Sequence, residues 1–207
     1  MTMPQVTRRQ VLIGAGAVGV LGALAPTAAL AEDNGGGKLV RWDLPQFAGP
    51  GGSLIFAGGT DEGRDSSSGD LVRLTGSGQA EPGEHEAAGG GTFVHLASDG
   101  TTERAHGFYL VTGFNSFRKP GGTLAGIPLT DGIGELGDTS GGILSLKVHL
   151  FASSGAQAEG VLTVDCSLPS GRPGIVEGIT LSVPAFNLNF TQHGGATLFH
   201  VLKGGEE

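Results

Sequence analysis

The chain has 207 residues, of which 20 are acidic and 12 are lysine or arginine, so its formal net charge is −8 at pH 7. Such an acidic surface argues against nucleic acid as a partner. Glycine accounts for 40 residues. Each glycine inside a helix costs about 1 kcal/mol relative to alanine, so the composition also argues against a helical fold.

The first glycine-rich segment contains a dinucleotide-binding fingerprint. Gly14, Gly16 and Gly19 spell G-x-G-x-x-G, and Glu32 follows at the distance expected of a ribose-binding acid. That site also requires a strand, a helix and a second parallel strand. Pro26 interrupts the helix, and no alternation of strands and helices follows it. We therefore exclude a nucleotide cofactor.

The same segment has the order of an export signal. Arg8 and Arg9 precede an uncharged run over 11–25, and Ala29 and Ala31 place small residues at a cleavage site. The stretch TRRQVLI resembles the twin-arginine export motif, with valine and isoleucine where that motif has an aromatic residue and lysine. The resemblance implies an exported protein that is periplasmic, cell-surface or extracellular. A retained membrane anchor is the alternative, since a span needs about 20 apolar residues.

This interpretation divides the chain into a signal peptide, 1–31, and one domain, 32–207, with no stable membrane span after cleavage. A single cysteine, Cys166, excludes an internal disulfide, which fits a route that carries proteins already folded. Cys166 shares one face of a strand with Leu162 and Val164. We interpret it as a small buried apolar residue, with a reactive or metal-bound thiol as the alternative.

Beyond the signal segment the hydrophobic pattern repeats every two residues, which is typical of strands. The strong strand candidates are 91–98, 106–117, 142–151, 160–168, 178–186 and 196–202. The weaker candidates are 38–44, 53–59 and 70–78. Eight or nine strands at this spacing predict an all-β fold, either an antiparallel sandwich or a barrel. We expect 61–70 to be a solvated turn, 77–91 a mobile loop and 119–142 a long loop.

The strand 142–151 alternates apolar and polar residues, which predicts one dry and one wet face. In 106–117 both faces are apolar. This second strand is either covered on both sides or presents an interface, for which Tyr109, Val111 and Phe117 are the candidates.

The sequence GDTSGG at 137–142 resembles the G-D-S-G-G nucleophile loop of trypsin-like serine proteases, with Thr139 inserted. In that family the two backbone N–H groups of the oxyanion hole lie two residues apart. Here Gly137 and Ser140 are three apart, and His106 lies only 34 residues before Ser140. We therefore reject a serine protease.

Three of the six histidines, His95, His149 and His200, lie near strand ends and could hold a catalytic zinc if they converged. No close pair such as H-x-H supports a metal site, and surface or hydrogen-bonded histidines are the simpler interpretation. The acids of 131–138 could hold calcium, but they match no EF-hand spacing and are more simply solvated loop acids.

No catalytic motif meets its own spacing requirements, so the sequence favours an exported noncatalytic β-domain that is binding or envelope-associated. The ligand would be an unknown protein or small molecule, and a homo-oligomer is possible. No cofactor is expected. The alternative is an exported enzyme or metalloprotein that uses the strand-end histidines.

Replacing Arg8 and Arg9 with lysine should block export, because twin-arginine signals are addresses read by a receptor. N-terminal sequencing of the exported, unchanged protein should begin at Glu32. Exported material that begins at Met1 or Thr2 would contradict cleavage. Unimpaired export of the lysine variant would contradict the route.

Overall fold

The computed structural model describes residues 38–202, and the segment interpreted as an export signal, with Arg8, Arg9, Ala29 and Ala31, lies outside them. The strands are β1 (Leu39–Asp43), β2 (Gln46–Ala48), β3 (Leu54–Phe56), β4 (Asp61–Asp65), β5 (Leu71–Leu74), β6 (Ser77–Glu81), β7 (Glu86–Leu96), β8 (Glu103–Arg118), β9 (Thr130–Asp131), β10 (Gly142–Ala152), β11 (Gln157–Cys166), β12 (Gly178–Val183), β13 (Leu188–Gly194) and β14 (Leu198–Leu202). Short 3₁₀ turns span Pro50–Gly52, Leu136–Asp138 and Pro184–Phe186. Within 38–202 no helix is long and apolar enough to cross a membrane.

Eight of these strands form a closed antiparallel barrel. Their order is β7–β5–β4–β13–β12–β11–β10–β8, and β8 pairs again with β7. The all-β prediction is confirmed, and the closing pair makes the fold a barrel rather than a sandwich. Each strand of the ring has a neighbour on both sides, so closure removes the free edges that an open sheet would present.

The strand β7 extends beyond the ring. Its C-terminal half pairs with β5, Phe93 opposite Leu74, while its N-terminal half pairs with β6, Gly90 opposite Ser77. Because the register is continuous, β5 and β6 act as one long strand against β7. The sheet continues from β6 through β1 to β14, and a separate small sheet joins β2, β3 and β9.

Apolar side chains that alternate along the strands fill the core. On β10 the buried residues are Leu144, Leu146, Val148 and Leu150, which confirms the dry face predicted for this strand. Burying each such side chain contributes about 1.5–3 kcal/mol. Neighbouring strands add Leu162, Val164, Cys166, Ile179, Leu181 and Phe190 to the same core.

Cys166 is a buried core residue, as predicted. Its thiol donates to the carbonyl of Thr197 at 3.3 Å. Burial, reinforced by the charge of Glu177, raises the pKa of this thiol well above its usual range. The reactive-thiol alternative is therefore disfavoured, because the nucleophile would be the thiolate.

Strand β8 buries the face that we predicted to contact a partner, and it exposes the opposite face. Tyr109 is buried and its hydroxyl donates to a backbone carbonyl at 3.0 Å, while Val111 and Phe117 pack against the core. The prediction that these three residues face a partner is therefore wrong. Phe108 and Leu110, on the other face, are exposed, because only the inner face of a barrel strand meets the core.

The strand β4 occupies part of a segment that we expected to be a solvated turn. Its end residues Asp61 and Asp65 are buried. Asp65 accepts the N–H groups of Ser67 and Ser68 at 2.9 Å each and that of Asn189 at 2.7 Å. The Ser67 hydroxyl and these N–H groups hold the pKa of Asp65 well below its usual range. Hydrogen bonds thus replace the apolar contacts by which strands are recognised in a sequence.

The glycine-rich segment 77–91, which we expected to be mobile, forms the β6–β7 hairpin around a turn at 82–85. Glycine is required here because the backbone of the paired strand and the buried indole of Trp42 both lie against these positions. A Cβ atom at Gly78 would lie 2.7 Å from Trp42 Nε1, and one at Gly89 would lie 3.1 Å from Trp42 Cζ2. The glycines therefore mark a packing contact rather than flexibility.

The long segment 119–142 has a small apolar cluster of its own. Its Leu124 is buried together with Ile55 of β3 and Leu198 of β14. The N–H of Leu124 donates to Thr139 Oγ1 at 2.8 Å, which ties the two arms of the segment together. The segment is irregular, as its length suggested, but it is packed.

The substitution Gly78→Ala should lower the free energy of unfolding by about 2 kcal/mol, because the new methyl group overpacks against the carbonyl oxygen of Ala88 in the paired strand and against Trp42. Urea unfolding followed by the emission of Trp42, the only tryptophan of the chain, measures this change. Gly83→Ala is the matched control, since Gly83 is exposed and has no atom near its Cβ position. Equal stability of the two variants would contradict the packing role of Gly78.

Candidate functional site

The first of the predicted metal ligands, His95, is held by a carboxylate. His95 Nε2 lies 3.1 Å from Asp70 Oδ2, and Arg104 Nε lies 2.7 Å from the same oxygen. The imidazole packs edge-on against the buried ring of Phe190, with 5.4 Å between centroids. These contacts explain why the histidine lies on the same side of β7 as the apolar Phe93.

The third predicted ligand, His200, lies in a buried ionic network. His200 Nε2 is 2.8 Å from Asp131 Oδ2, and both side chains are at most 2% exposed. The other oxygen of Asp131 accepts the N–H groups of Ile133 and Gly134 at 2.8 and 3.1 Å. Arg41 of β1 donates to the carbonyl of Ile133 at 3.1 Å. The network therefore fastens the segment 119–142 to β1 and β14.

The pKa shifts in this network follow from burial and its compensation. Burial raises the pKa of Asp131, but the hydrogen bonds from His200 and two backbone N–H groups outweigh it, so the pKa is lowered. At Asp43 burial outweighs the contact with Arg41, and the pKa is raised. Asp131 is thus a buried structural acid, and our expectation of a solvated loop acid was wrong.

The three histidines do not form one site. His95 and His200 contact different carboxylates, and His149 stacks on Phe151 instead. Among residues 38–202 no group of three histidines, cysteines or acids could hold a metal ion. The zinc site that the sequence left open as an alternative would need His95, His149 and His200 to converge, and they do not. Strand-end position alone does not decide which way a side chain points or what it meets.

Three acids with raised pKa values lie around the start of β12: Glu177, Asp165 and Asp61. Glu177 and Asp165 accept hydrogen bonds from neighbouring segments. The carboxylate of Glu177 accepts the N–H of Thr197 at 2.6 Å and its hydroxyl at 2.7 Å. Asp165 Oδ2 accepts the side-chain amide of Gln192 at 2.7 Å. Burial raises the pKa of both acids, and the charge of Asp165 raises that of Glu177 further. These acids bind segments of the protein to one another.

The most perturbed acid is Asp61, whose side chain is fully buried and whose oxygens have only weak contacts with the backbone N–H groups of Glu62 and Ile179. Burial, reinforced by the charge of Glu177, raises its pKa to about 7. Gly195 is required beside it, because a Cβ there would lie 2.6 Å from Asp61 Cγ. A shifted pKa can mark a catalytic acid, but a substrate has no access to a group that is wholly enclosed.

The segment 137–142 does not form a nucleophile loop. Ser140 is buried, and its hydroxyl donates to the carbonyl of Gly141 at 3.0 Å. His106 pairs with Glu103 on the exposed face of β8, 2.6 Å from Nδ1 to Oε1. The rejection of a serine protease on spacing therefore agrees with the contacts of both residues.

An exposed aromatic patch is the remaining candidate for function. We call it the outer strip, and its residues are Phe108, Leu110, His149, Phe151 and Val161. Phe108 stacks on Phe151 and Phe151 on His149, with 4.9 and 4.5 Å between centroids and 15° between planes in each pair. Phe108 is 49% exposed, Leu110 37% and Val161 38%. His149 lies on the outward face of β10, as predicted, and its stacking leaves it half-buried.

The strand register makes the outer strip continuous. Phe108 of β8 lies opposite Phe151 of β10, and Leu110 lies opposite His149. Val161 of β11 lies opposite Lys147, one outward position along β10. Side chains opposite each other on paired strands are about 5 Å apart, and diagonal ones about 7–8 Å. The strip is therefore continuous between β8 and β10, and Val161 extends it diagonally from His149 onto β11.

An open depression of about 490 Å³ adjoins the outer strip. Its lining residues are His149, Gln157, Ala158, Glu159, Pro184 and Ala185. A second open depression, of about 530 Å³, is lined by no charged side chain. The first therefore offers the more specific surface, because it combines apolar contact with a carboxylate and an amide.

Sequence reasoning found the apolar character of β8 but assigned the partner to the wrong face. The signal for the outer strip was divided between Phe108 and Phe151, which are 43 residues apart in the chain. Only the pairing of β8 with β10 brings these two rings into contact. Comparisons of the chain with protein families, with curated proteins and with solved structures found no match.

The buried acid Asp61 should make stability depend on pH. In the folded protein its pKa of about 7 keeps it protonated up to about pH 7, whereas in the unfolded chain it ionises near its ordinary pKa of 3.8. The folded state therefore binds more protons between these values, and the free energy of unfolding falls as the pH rises through this window. Asp61→Asn should remove this contribution and stabilise the protein at pH 8 by about 2–4 kcal/mol.

Urea unfolding at pH 4, 6 and 8 measures this difference. Glu84→Gln is the control, because Glu84 is exposed in the turn at 82–85. The same pH profile for Asp61→Asn and the unchanged protein would show that Asp61 ionises without penalty.

Proposed function

We propose that this protein is an exported, noncatalytic binding domain of the cell envelope that uses the outer strip as its binding surface. The observation that carries the proposal is the position of the apolar surface. The core of the barrel is filled with side chains, and a stacked aromatic patch remains exposed on its outer wall. Surface aromatic clusters of this kind are typical of interaction sites.

The noncatalytic part of the proposal is supported by the access to titratable groups. A general acid or base has to reach the proton that it transfers. Asp61, Asp131 and His200 are enclosed, and the hydroxyl of Ser140 is bonded to the backbone. The alternative is an enzyme or metalloprotein that uses the strand-end histidines. It is less well supported, because the three imidazole rings lie in separate surroundings and do not converge on one metal ion.

The exported part of the proposal rests on the sequence of the N-terminal segment, with Arg8, Arg9 and the small residues before Glu32. The core requires no disulfide, since Cys166 packs as a free thiol. The domain can therefore reach its folded state before export.

Replacing both Phe108 and Phe151 with threonine should release the exported protein from the cell envelope into the medium. The reason is that the variant loses the stacked surface while its inward-facing core is unchanged. Fractionation of cells that export the protein, followed by immunoblotting, measures the share of the protein that is bound to the envelope. We expect this share to fall at least fivefold, because the variant loses two aromatic contacts.

The matched control is Phe47→Thr together with Phe56→Thr, because these phenylalanines are comparably exposed on the separate small sheet. This control should remain with the envelope. Equal retention of both variants would contradict the outer strip as the binding surface, and accumulation of the unchanged protein in the cytoplasm would contradict export.

A further inference from the structure

We infer that the occupant of the outer strip is a second copy of this chain, so that the protein is a homodimer held strip to strip. The inference rests on the proposed function in one respect, which is that both take the outer strip as a binding surface. It adds the identity of the partner and the way in which the two surfaces fit. Under this inference the envelope retains the paired copies, so that loss of the strip releases the protein by breaking the dimer.

The charges that flank the outer strip are self-complementary. Lys147 and Glu159 are both exposed and lie beside His149 and Val161 on β10 and β11. His149 is opposite Glu159, and Lys147 is opposite Val161, so these four residues form a rectangle. The lysine and the glutamate occupy one diagonal of the rectangle, and His149 and Val161 occupy the other.

A two-fold axis along the His149–Val161 diagonal brings each Lys147 close to the Glu159 of the other copy. Two ion pairs then form by symmetry, as in any isologous contact. The same axis places each Phe151 near the Leu110 of the other copy, since these residues lie on opposite sides of the diagonal. The strands of the two copies cross steeply, which is one of the two common ways for sheets to pack.

The size of the contact sets its strength. Three strands with their outward residues cover roughly 15 by 20 Å, from the usual spacings of strands and of alternate residues. This is about 300 Å² per copy, below the area that stable specific interfaces bury, so we expect a weak, transient dimer that associates in the high micromolar range. The apolar centre supplies the attraction, while the flanking charges decide the orientation.

Other occupants are less well matched. A strongly basic or acidic partner would leave one of the two opposite charges against a like charge, which costs affinity. A second copy satisfies both Lys147 and Glu159 at once. The two-fold arrangement also buries Phe108, the most exposed ring of the strip, near its own counterpart.

Sedimentation velocity of the purified protein from about 1 to 200 µM tests the inference, over the concentrations at which weak interfaces associate. The unchanged protein should form dimers. Lys147→Glu and Glu159→Lys should each weaken association about tenfold or more, because each variant places two like charges together at both ends of the contact.

An equimolar mixture of the two variants should restore dimers to within about threefold of the unchanged protein, because only the mixed pair brings lysine to glutamate again. Glu84→Lys, in the exposed turn at 82–85, is the control for a change of net charge and should dimerise normally. Emission of Trp42 verifies that every variant is folded.

A monomeric unchanged protein at 200 µM would overturn the inference, as would variants that dimerise normally or a mixture that stays monomeric. If the protein is monomeric and the Phe108 and Phe151 variant still leaves the envelope, the homodimer fails and the proposed function stands. If dimers form as described and envelope retention does not depend on the strip, the proposed function fails and the homodimer stands.

Discussion

The pairing of β7 with β8 is the contact on which the rest of this structure depends. It runs from Gly90 opposite Leu110 to Leu96 opposite Glu103 and joins the ends of an eight-strand sheet. Once the ring is closed, strand alternation gives every residue an inward or an outward position. A ring of eight strands has space for side chains or one small ligand, and here apolar side chains occupy the core.

The same closure determines where polar groups can be useful. A polar or charged side chain that is buried in the protein needs hydrogen-bonding or charged partners, because a buried unpaired charge is costly. Asp131 obtains His200 and two backbone N–H groups, and in return it fastens a long segment to β1 and β14. Asp61 has only weak contacts with backbone N–H groups and responds with a raised pKa. These groups are therefore elements of stability with a pH dependence.

Because the core is filled, the proposed interaction surface lies on the outer wall. The outer strip forms where β8, β10 and β11 present aromatic or aliphatic residues outward in one register, with Phe108 against Phe151 at its centre. Lys147 and Glu159 make the charge beside the strip asymmetric, since they carry opposite charges at opposite corners of the rectangle that they form with His149 and Val161. An interface with an apolar centre and a charged rim has the usual anatomy of a protein contact, and this arrangement links the fold to the proposed attachment role.

The sequence by itself determined the fold class, the strands with clear alternation and the burial of Cys166, because these depend on local hydrophobic period. It also excluded the protease, since the spacing from Gly137 to Ser140 is local. It missed β4 and the β6–β7 hairpin, where buried aspartates and glycines replace apolar side chains. It also missed β13, in which only Leu188 and Phe190 are apolar. Only the tertiary structure decided that the sheet closes, that His200 meets Asp131 and that Phe108 meets Phe151. Each of these contacts joins residues far apart in the chain, and their register is set by strand pairing that no local pattern encodes.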